Sequence, residues 1–312
     1  MLTLDQRHRA AALPLPAPLW AGVGTCALPD TALADPRTPP QRLPNHLLAL
    51  TTTGHGVIEI DFTSRECRPG TLLWVRPGQA VKVAEGTGLD AAMVCWRPGL
   101  LPPGQTAGLD TDDPVGPGRW QLTGEDEDAV INEFAQLAVD CERHSAGEAA
   151  AALLRHQLAV LLLRITLIAA DDLPDMSTVE SRTFARFRRM LEEGHATSRR
   201  VEDYAAQVGC SVRTLTRASL AVTGRTAKQV VDDRVALEAR RLLACTPLSV
   251  AEVGRRLGFA EPTNFGRFFH REVGASPGVF RTNATSDGRH VPVPRVPPDD
   301  RRDPLAGARH TA

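Results

Sequence analysis

Six side chains in the last third of the chain have the chemistry of base recognition. Arg213, Thr216 and Arg217 lie in one segment, and Thr263, Asn264 and Arg267 lie about fifty residues further on. An Arg guanidinium matches the acceptor edge of guanine and an Asn amide matches adenine. Each good bidentate pair is worth roughly 1–3 kcal/mol of discrimination. The same Arg on a phosphate positions a protein without reading sequence. The two segments are related. Thr214-Leu215-Thr216-Arg217, followed by Gly224 and Val230, returns as Asn264-Phe265-Gly266-Arg267, followed by Gly274 and Phe280. Ahead of them Ala205 and Gly209 match Gly254 and Gly258 one residue out of step, so the second turn holds one extra residue. Repeated helix-turn-helix units of this kind place their second helices in DNA major grooves.

The elements that must hold these residues are legible from local patterns. Val201, Tyr204, Ala205 and Val208 make an apolar stripe at helical spacing, and Gly209 suits the left-handed residue that ends the helix. Ser211 is a natural N-cap for the next helix, with Val212 and Leu215 expected to face inward. In the second unit Ser249 to Glu252 reads as a capping box, with Val250, Val253 and Leu257 as the buried stripe. Pro262 suits a first helical position, and Phe265, Phe268 and Phe269 are expected inside. Between the units, Val231 to Cys245 reads as one long helix. It would set the two recognition helices about one DNA turn, or ~34 Å, apart.

Charge agrees with a polyanion partner for this module alone. The net charge is -1, but residues 181–282 hold 18 Arg+Lys against 10 Asp+Glu, while the rest holds 18 against 27. A solvated Arg-rich surface would give the same count, so charge supports DNA binding without proving it. The six cysteines are scattered, with no CxxC and no Cys/His ligand spacing. They read as reduced thiols, and nothing marks Cys67 or Cys95 as a redox sensor. Arg7 and Arg9 before an apolar stretch imitate a signal peptide, but Pro14, Pro16 and Pro18 break the stretch and Asp5 sits in the basic part. The run Leu158 to Leu163 is too short to span a bilayer. A cytoplasmic protein without membrane association is expected.

The first half reads differently. Residues 1–44 are Pro-rich and expected to be irregular, and 45–97 carry strand signals. Val57 to Phe62 alternates after a Gly54-His55-Gly56 turn. Thr71 to Val75 lies between Pro69-Gly70 and Pro77-Gly78, and Ala91 to Trp96 is a further strand. Short strands between turn signals imply a small barrel or sandwich. A loop spans 97–118, and helices follow over about 125–170, one carrying the stripe Leu154, Leu158, Leu161, Leu162 and Ile165. That stripe packs on its own barrel or forms a two-fold dimer seam. Residues 171–180, around Pro174, read as a linker, 181–284 as the DNA-binding domain and 285–312 as a disordered tail.

Residues 181–282 resemble the DNA-binding domain of AraC/XylS-type transcription regulators. The resemblance is carried by Ala239-Arg240-Arg241-Leu242-Leu243, Leu248 to Val253, Leu257-Gly258-Phe259, Phe265 to Phe269 and Gly274 to Arg281. It implies an α+β multi-domain chain. A small cupin-like β-barrel with trailing helices over 1–170 is followed by an all-α domain of two helix-turn-helix units joined by a long helix. It also implies that the six residues above face DNA. Ser219 departs from the family's buried aromatic and Glu261 from its Ser or Asp cap. The barrel lacks the HxH of metal-binding cupins, offering only His46, His55 and Glu59, so no metal and no cofactor are expected. His46 is the candidate effector contact, with Trp74 and Trp96 beside it.

Three function classes follow. One is a sequence-specific transcription regulator controlled by a small-molecule effector in the barrel. It would bind double-stranded operator DNA as a homodimer, with RNA polymerase as partner if it activates. A second is a ligand-independent regulator whose barrel serves oligomerisation or partner binding. A third is a cupin-like enzyme, which would need a metal triad or a nucleophile with its base. The chain shows neither, so the expectation is a regulator and not an enzyme.

Overall fold

The computed structural model describes residues 21–101, 118–144, 146–169 and 178–285. Most of the 97–118 loop, the 171–180 linker up to 177 and the tail from 286 lie outside the described residues.

Among the described residues, seven strands form one antiparallel sheet: β1 (Val23–Ala27), β2 (Gln41–Arg42), β3 (His46–Ile60), β4 (Thr63–Cys67), β5 (Thr71–Val75), β6 (Ala80–Trp96) and β7 (Arg119–Gln121). The order is β1-β6-β3-β5-β7, with β2 also on β6 and β4 also on β3. The sheet thus draws in strands on both sides of the expected 45–97, and β1 and β2 lie in the stretch read as irregular. Strands β3 and β6 pair along their whole length, from His46 opposite Trp96 to Ile60 opposite Val81. Gly54-His55-Gly56 is therefore not a turn but the middle of a 15-residue strand. Register shifts between Thr51 and Thr53 and between Thr53 and His55 absorb the irregularity. Gly54 has φ +74, and a Cβ there would stand 2.1 Å from the Gly88 carbonyl oxygen.

Alternation sorts the side chains into two layers. Leu48, Leu50, Leu72, Trp74, Val94 and Trp96 face two helices, α1 (Glu125–Arg143) and α2 (Glu148–Ile168). Leu47, Ala49, Leu73, Val75, Met93 and Cys95 face the other way. There they meet Ile58, Val81 and Val83 from the far ends of the long strands, so the sheet encloses an apolar interior. In α2 the stripe Leu154, Leu158, Leu161, Leu162 and Ile165 is no more than 1% exposed, packed in the sheet–helix layer. By length and composition this 21-residue helix could cross a membrane, unlike the shorter Leu158–Leu163 run. A core helix of a globular domain passes the same test, and this one seals a core.

The C-terminal domain comprises α3 (Val179–Gly194), α4 (Val201–Val208), α5 (Val212–Thr223), α6 (Ala227–Cys245), α7 (Val250–Arg256), α8 (Pro262–Val273) and α9 (Pro277–Thr285). Its spine is α6, where Val231, Val235, Ala239 and Leu242 recur at helical spacing and are buried. Around it gather Phe187 and Tyr204 from the first half and Phe265, Phe269 and Phe280 from the second.

Leu158 is wholly buried between sheet and helices. Leu158→Ala should lower unfolding free energy by about 2–5 kcal/mol, read as a lower denaturant midpoint for the β-rich domain.

Candidate nucleic-acid interface

Each helix-turn-helix unit is set by local chemistry. Gly209 closes α4 in the left-handed conformation (φ 78), and Ser211 caps α5, its side chain accepting from the Thr214 N–H at 3.1 Å. Ser249 and Glu252 form the reciprocal capping box of α7. Gly254 lets α7 approach α8 closely, since a Cβ there would lie 3.1 Å from the Phe265 side chain. Phe259, Phe265, Phe269 and Phe280 then pack ring to ring, with centroids 5.3–5.8 Å apart along the series.

On α5, Arg213 and Arg217 are exposed and Thr216 is half-buried, while Leu215 and Ala218 turn inward. Val212, expected inside, is 39% exposed at the first helical position. On α8, Thr263, Asn264 and Arg267 are exposed over a floor of Phe265, Phe268 and Phe269. The structure thus brings the six residues to the outer sides of two helices clamped to one spine. Arg217 is not wholly free, since its Nη2 lies 3.3 Å from Glu180 Oε1. The two departures from the family pattern have different outcomes. Ser219 is fully buried, and its hydroxyl donates to the Leu215 carbonyl at 2.9 Å, so the smaller side chain is satisfied within its own helix. Glu261 gives no side-chain cap, and α8 begins on Pro262 instead.

His46, Trp74 and Trp96 come together, but not as the wall of the enclosed interior. All three are 0–1% exposed, and the indoles lie on the helix-facing side of the sheet. His46 stacks on Trp96 at 4.8 Å, and Trp74 Nε1 donates to His46 Nδ1 at 3.3 Å. They therefore buttress the sheet–helix layer, on the side of the sheet away from that interior. Burial pushes the Cys95 thiol up to about 12 and raises Cys67 as well, which disfavours the reactive thiolate in both.

The sequence reading missed the contact between the two domains. The hairpin joining β3 to β4 turns on Asp61 and Phe62, and its tip reaches α6. Asp61 takes Arg241 in a two-pronged pair at 2.7 and 2.6 Å. Arg42 of β2 reaches Glu238 at 2.7 Å. Phe62 meets the Phe280 ring edge-on at 5.4 Å and lies under the Arg240 guanidinium. Glu238 also receives Arg234 at 3.3 Å and faces His195 at 3.8 Å. Burial pushes the Glu238 carboxyl up, but Arg42, Arg234 and Arg241 outweigh it and hold the group below its ordinary value. Burial, reinforced by Arg234, holds the His195 ring below its own. Partners 180 and 196 positions apart leave no local signal in sequence.

A β-rich sensor-type domain joined to two clamped helix-turn-helix units defines a DNA-binding transcription regulator. Comparison with known proteins agrees. The model of the AraC-like ligand binding domain matches residues 28–158, and a helix-turn-helix domain model matches 204–283. The chain belongs to the AraC family of transcription regulators. It is 26% identical over 258 residues to the HTH-type transcriptional activator RhaS of Salmonella typhimurium, covering 79% of this chain and 90% of that one. Among solved structures, ToxT from Vibrio cholerae O395 aligns with 9% identity and a TM-score of 0.43, over 83% of this chain and 97% of that one. The DNA-binding domain of AdpA, solved with a target DNA, is 33% identical over 34% of this chain and 92% of its own, with a TM-score of 0.29.

His195 and Glu238 both bind protons less readily folded than unfolded, so the stability they contribute grows with pH. The His195 share is complete above its ordinary 6.5 and the Glu238 share above its ordinary 4.5, and each is lost as pH falls through the lower folded value. Against the opposing pull of Asp233, whose carboxyl burial pushes up to about 6, these two shares should lower the thermal midpoint as pH falls from 7 to 4. Glu238→Gln should flatten the part of that fall below about pH 4.5.

Proposed function

We propose that the chain reads one operator through two successive major grooves. Arg213, Thr216 and Arg217 of α5 serve one groove, and Thr263, Asn264 and Arg267 of α8 serve the next. The observation that carries this reading is that five of the six are exposed, with Thr216 half-buried beside them, on helices fixed to a single spine, α6. With 19 residues, α6 is about 28 Å long, which suits grooves about 34 Å apart on one DNA face.

The signal in this reading is a small molecule held in the β-rich domain, which the model of the AraC-like ligand binding domain matches over residues 28–158. The molecule acts as a cytoplasmic regulator without catalysis, and RNA polymerase is its partner where it activates. Signal passes through β3, which lines the interior and ends at Asp61 on α6. The direct contact takes the role expected of the linker near Pro174.

Two copies would place two DNA-binding domains on paired half-sites. The Leu154–Ile165 stripe is committed to its own core and is not available for this. The opposite side of α2 exposes Leu153, Val160 and Leu167, spaced by sevens at 40%, 42% and 77%. That spacing repeats one of the two apolar positions of a heptad seam, and these exposed residues form the dimer contact in this reading.

Selection of bound DNA from a random pool by the full-length protein should enrich a motif with two reads about one helical turn apart. A single read or no enrichment would defeat the two-groove reading. Arg267→Ala should lose about 1–3 kcal/mol of operator affinity and relax preference at one base pair. Val160→Glu should convert dimer to monomer in sedimentation velocity with the circular dichroism unchanged, and a variant that stays dimeric would place the seam elsewhere.

A further inference from the structure

A cavity of about 530 Å³ opens beside the second recognition helix, and most of its lining belongs neither to the base-reading set nor to the domain contact. Cations from three elements converge on it. Arg199 comes from the loop before α4, Lys228 from the first turn of α6, and Arg267 and Arg271 from α8. Phe259 and Phe268 form part of its lining. Among the described residues, none of the β-rich domain lines it, although the two domains are in contact.

The cations are held in place yet keep spare donors. Arg199 lies over the Phe259 ring at 3.7 Å and donates to the Gly258 carbonyl at 3.0 Å. Asp232 stands between Lys228 and Arg271, taking the Lys228 ammonium and lying 3.5 Å from Arg271 Nη2. Glu272 takes Arg271 Nε at 2.6 Å. Two carboxylates therefore face four cations. An ammonium has three donors and a guanidinium five, so most of the donors around this cavity are unclaimed by those two acids. Such an excess fits an anion with several acceptor oxygens.

Position names the anion. A helix about 10–12 Å across nearly fills a major groove about 12 Å wide, so a phosphate strand must run along each of its sides. Asn264 and Arg267, two of the proposed base readers, line this same cavity. We propose that the cavity seats the DNA backbone flanking the groove entered by α8. Arg199, Lys228 and Arg271 are its phosphate anchors, and Asp232 is the residue that positions Lys228 and Arg271. The inference rests on the DNA-reading role of α8 and adds sequence-independent contacts that the recognition residues do not provide.

The test uses the full-length protein, its selected operator and an unrelated duplex of equal length, each titrated at several salt concentrations. Lys228→Gln and Arg271→Gln should weaken binding to both duplexes by the same factor. Each should also reduce the slope of log affinity against log salt by about 0.9. Lys228→Arg, which keeps the charge, should restore the wild-type slope, whereas a fold defect would not respond to charge. Loss confined to the operator would make these residues base readers and overturn the proposal. Wild-type slopes in both Gln variants would overturn it as well. If the wild-type protein itself shows no salt-dependent DNA binding, the underlying DNA-reading role fails, and the anchors fail with it.

Discussion

The arrangement of the two domains hangs on a two-residue turn. Asp61 and Phe62 join β3 to β4, and both have positive φ, 51° and 63°. A tight hairpin demands this geometry, and sequences usually meet it with Asn-Gly or Asp-Gly. A non-glycine residue held there carries strain of order 1–3 kcal/mol, and persists only where its surroundings over-determine it. Here they do. Asp61 accepts from Gln79 Nε2 at 2.9 Å and the Ala80 N–H at 3.0 Å, which holds the carboxylate from its own domain's side. Phe62 could not be glycine without losing its contact with Phe280. The strained turn therefore supplies one side of the domain contact, and Arg42 of β2 adds its pair with Glu238. Its two ion pairs are partly buried, so loss of one partner would leave a desolvated charge behind.

The C-terminal domain was legible because its signals are local. The repeat near fifty residues, Ser211 as a cap, the Ser249–Glu252 box and the glycines after α4 and α7 each act within a few positions. The resemblance to AraC-type regulators rested on those same residues. Val212 was misjudged because a first-turn residue is not yet committed to one side of its helix. The β-rich domain was harder. Strands β3, β5 and β6 are apolar on both faces, so alternation gave two layers without saying which one meets the helices. For that reason the sequence could not say on which side of the sheet His46, Trp74 and Trp96 would lie. Gly54-His55-Gly56 has the composition of a turn, and only its pairing with β6 reveals a bulged strand.

Helix α2 illustrates how one sequence run serves two readings. Its Leu154–Ile165 stripe was legible as apolar, but the stripe alone could not distinguish a self-packing face from an intermolecular one. Burial decides for the former. The flanking Leu153, Val160 and Leu167 drew no notice in sequence because, in so apolar a helix, they do not stand out from their neighbours.

The layer that joins sheet to helices has an optical consequence. Trp74, Trp96 and Trp120 account for three of the four tryptophans, and all three are buried in it. His46 stacks on one indole and accepts a hydrogen bond from another. Intrinsic fluorescence of this protein therefore reports chiefly on how α1 and α2 seat against the sheet. The described part of the DNA-binding domain contains no tryptophan and contributes only Tyr204. Emission excited at the indole band is thus a domain-resolved signal that needs no label.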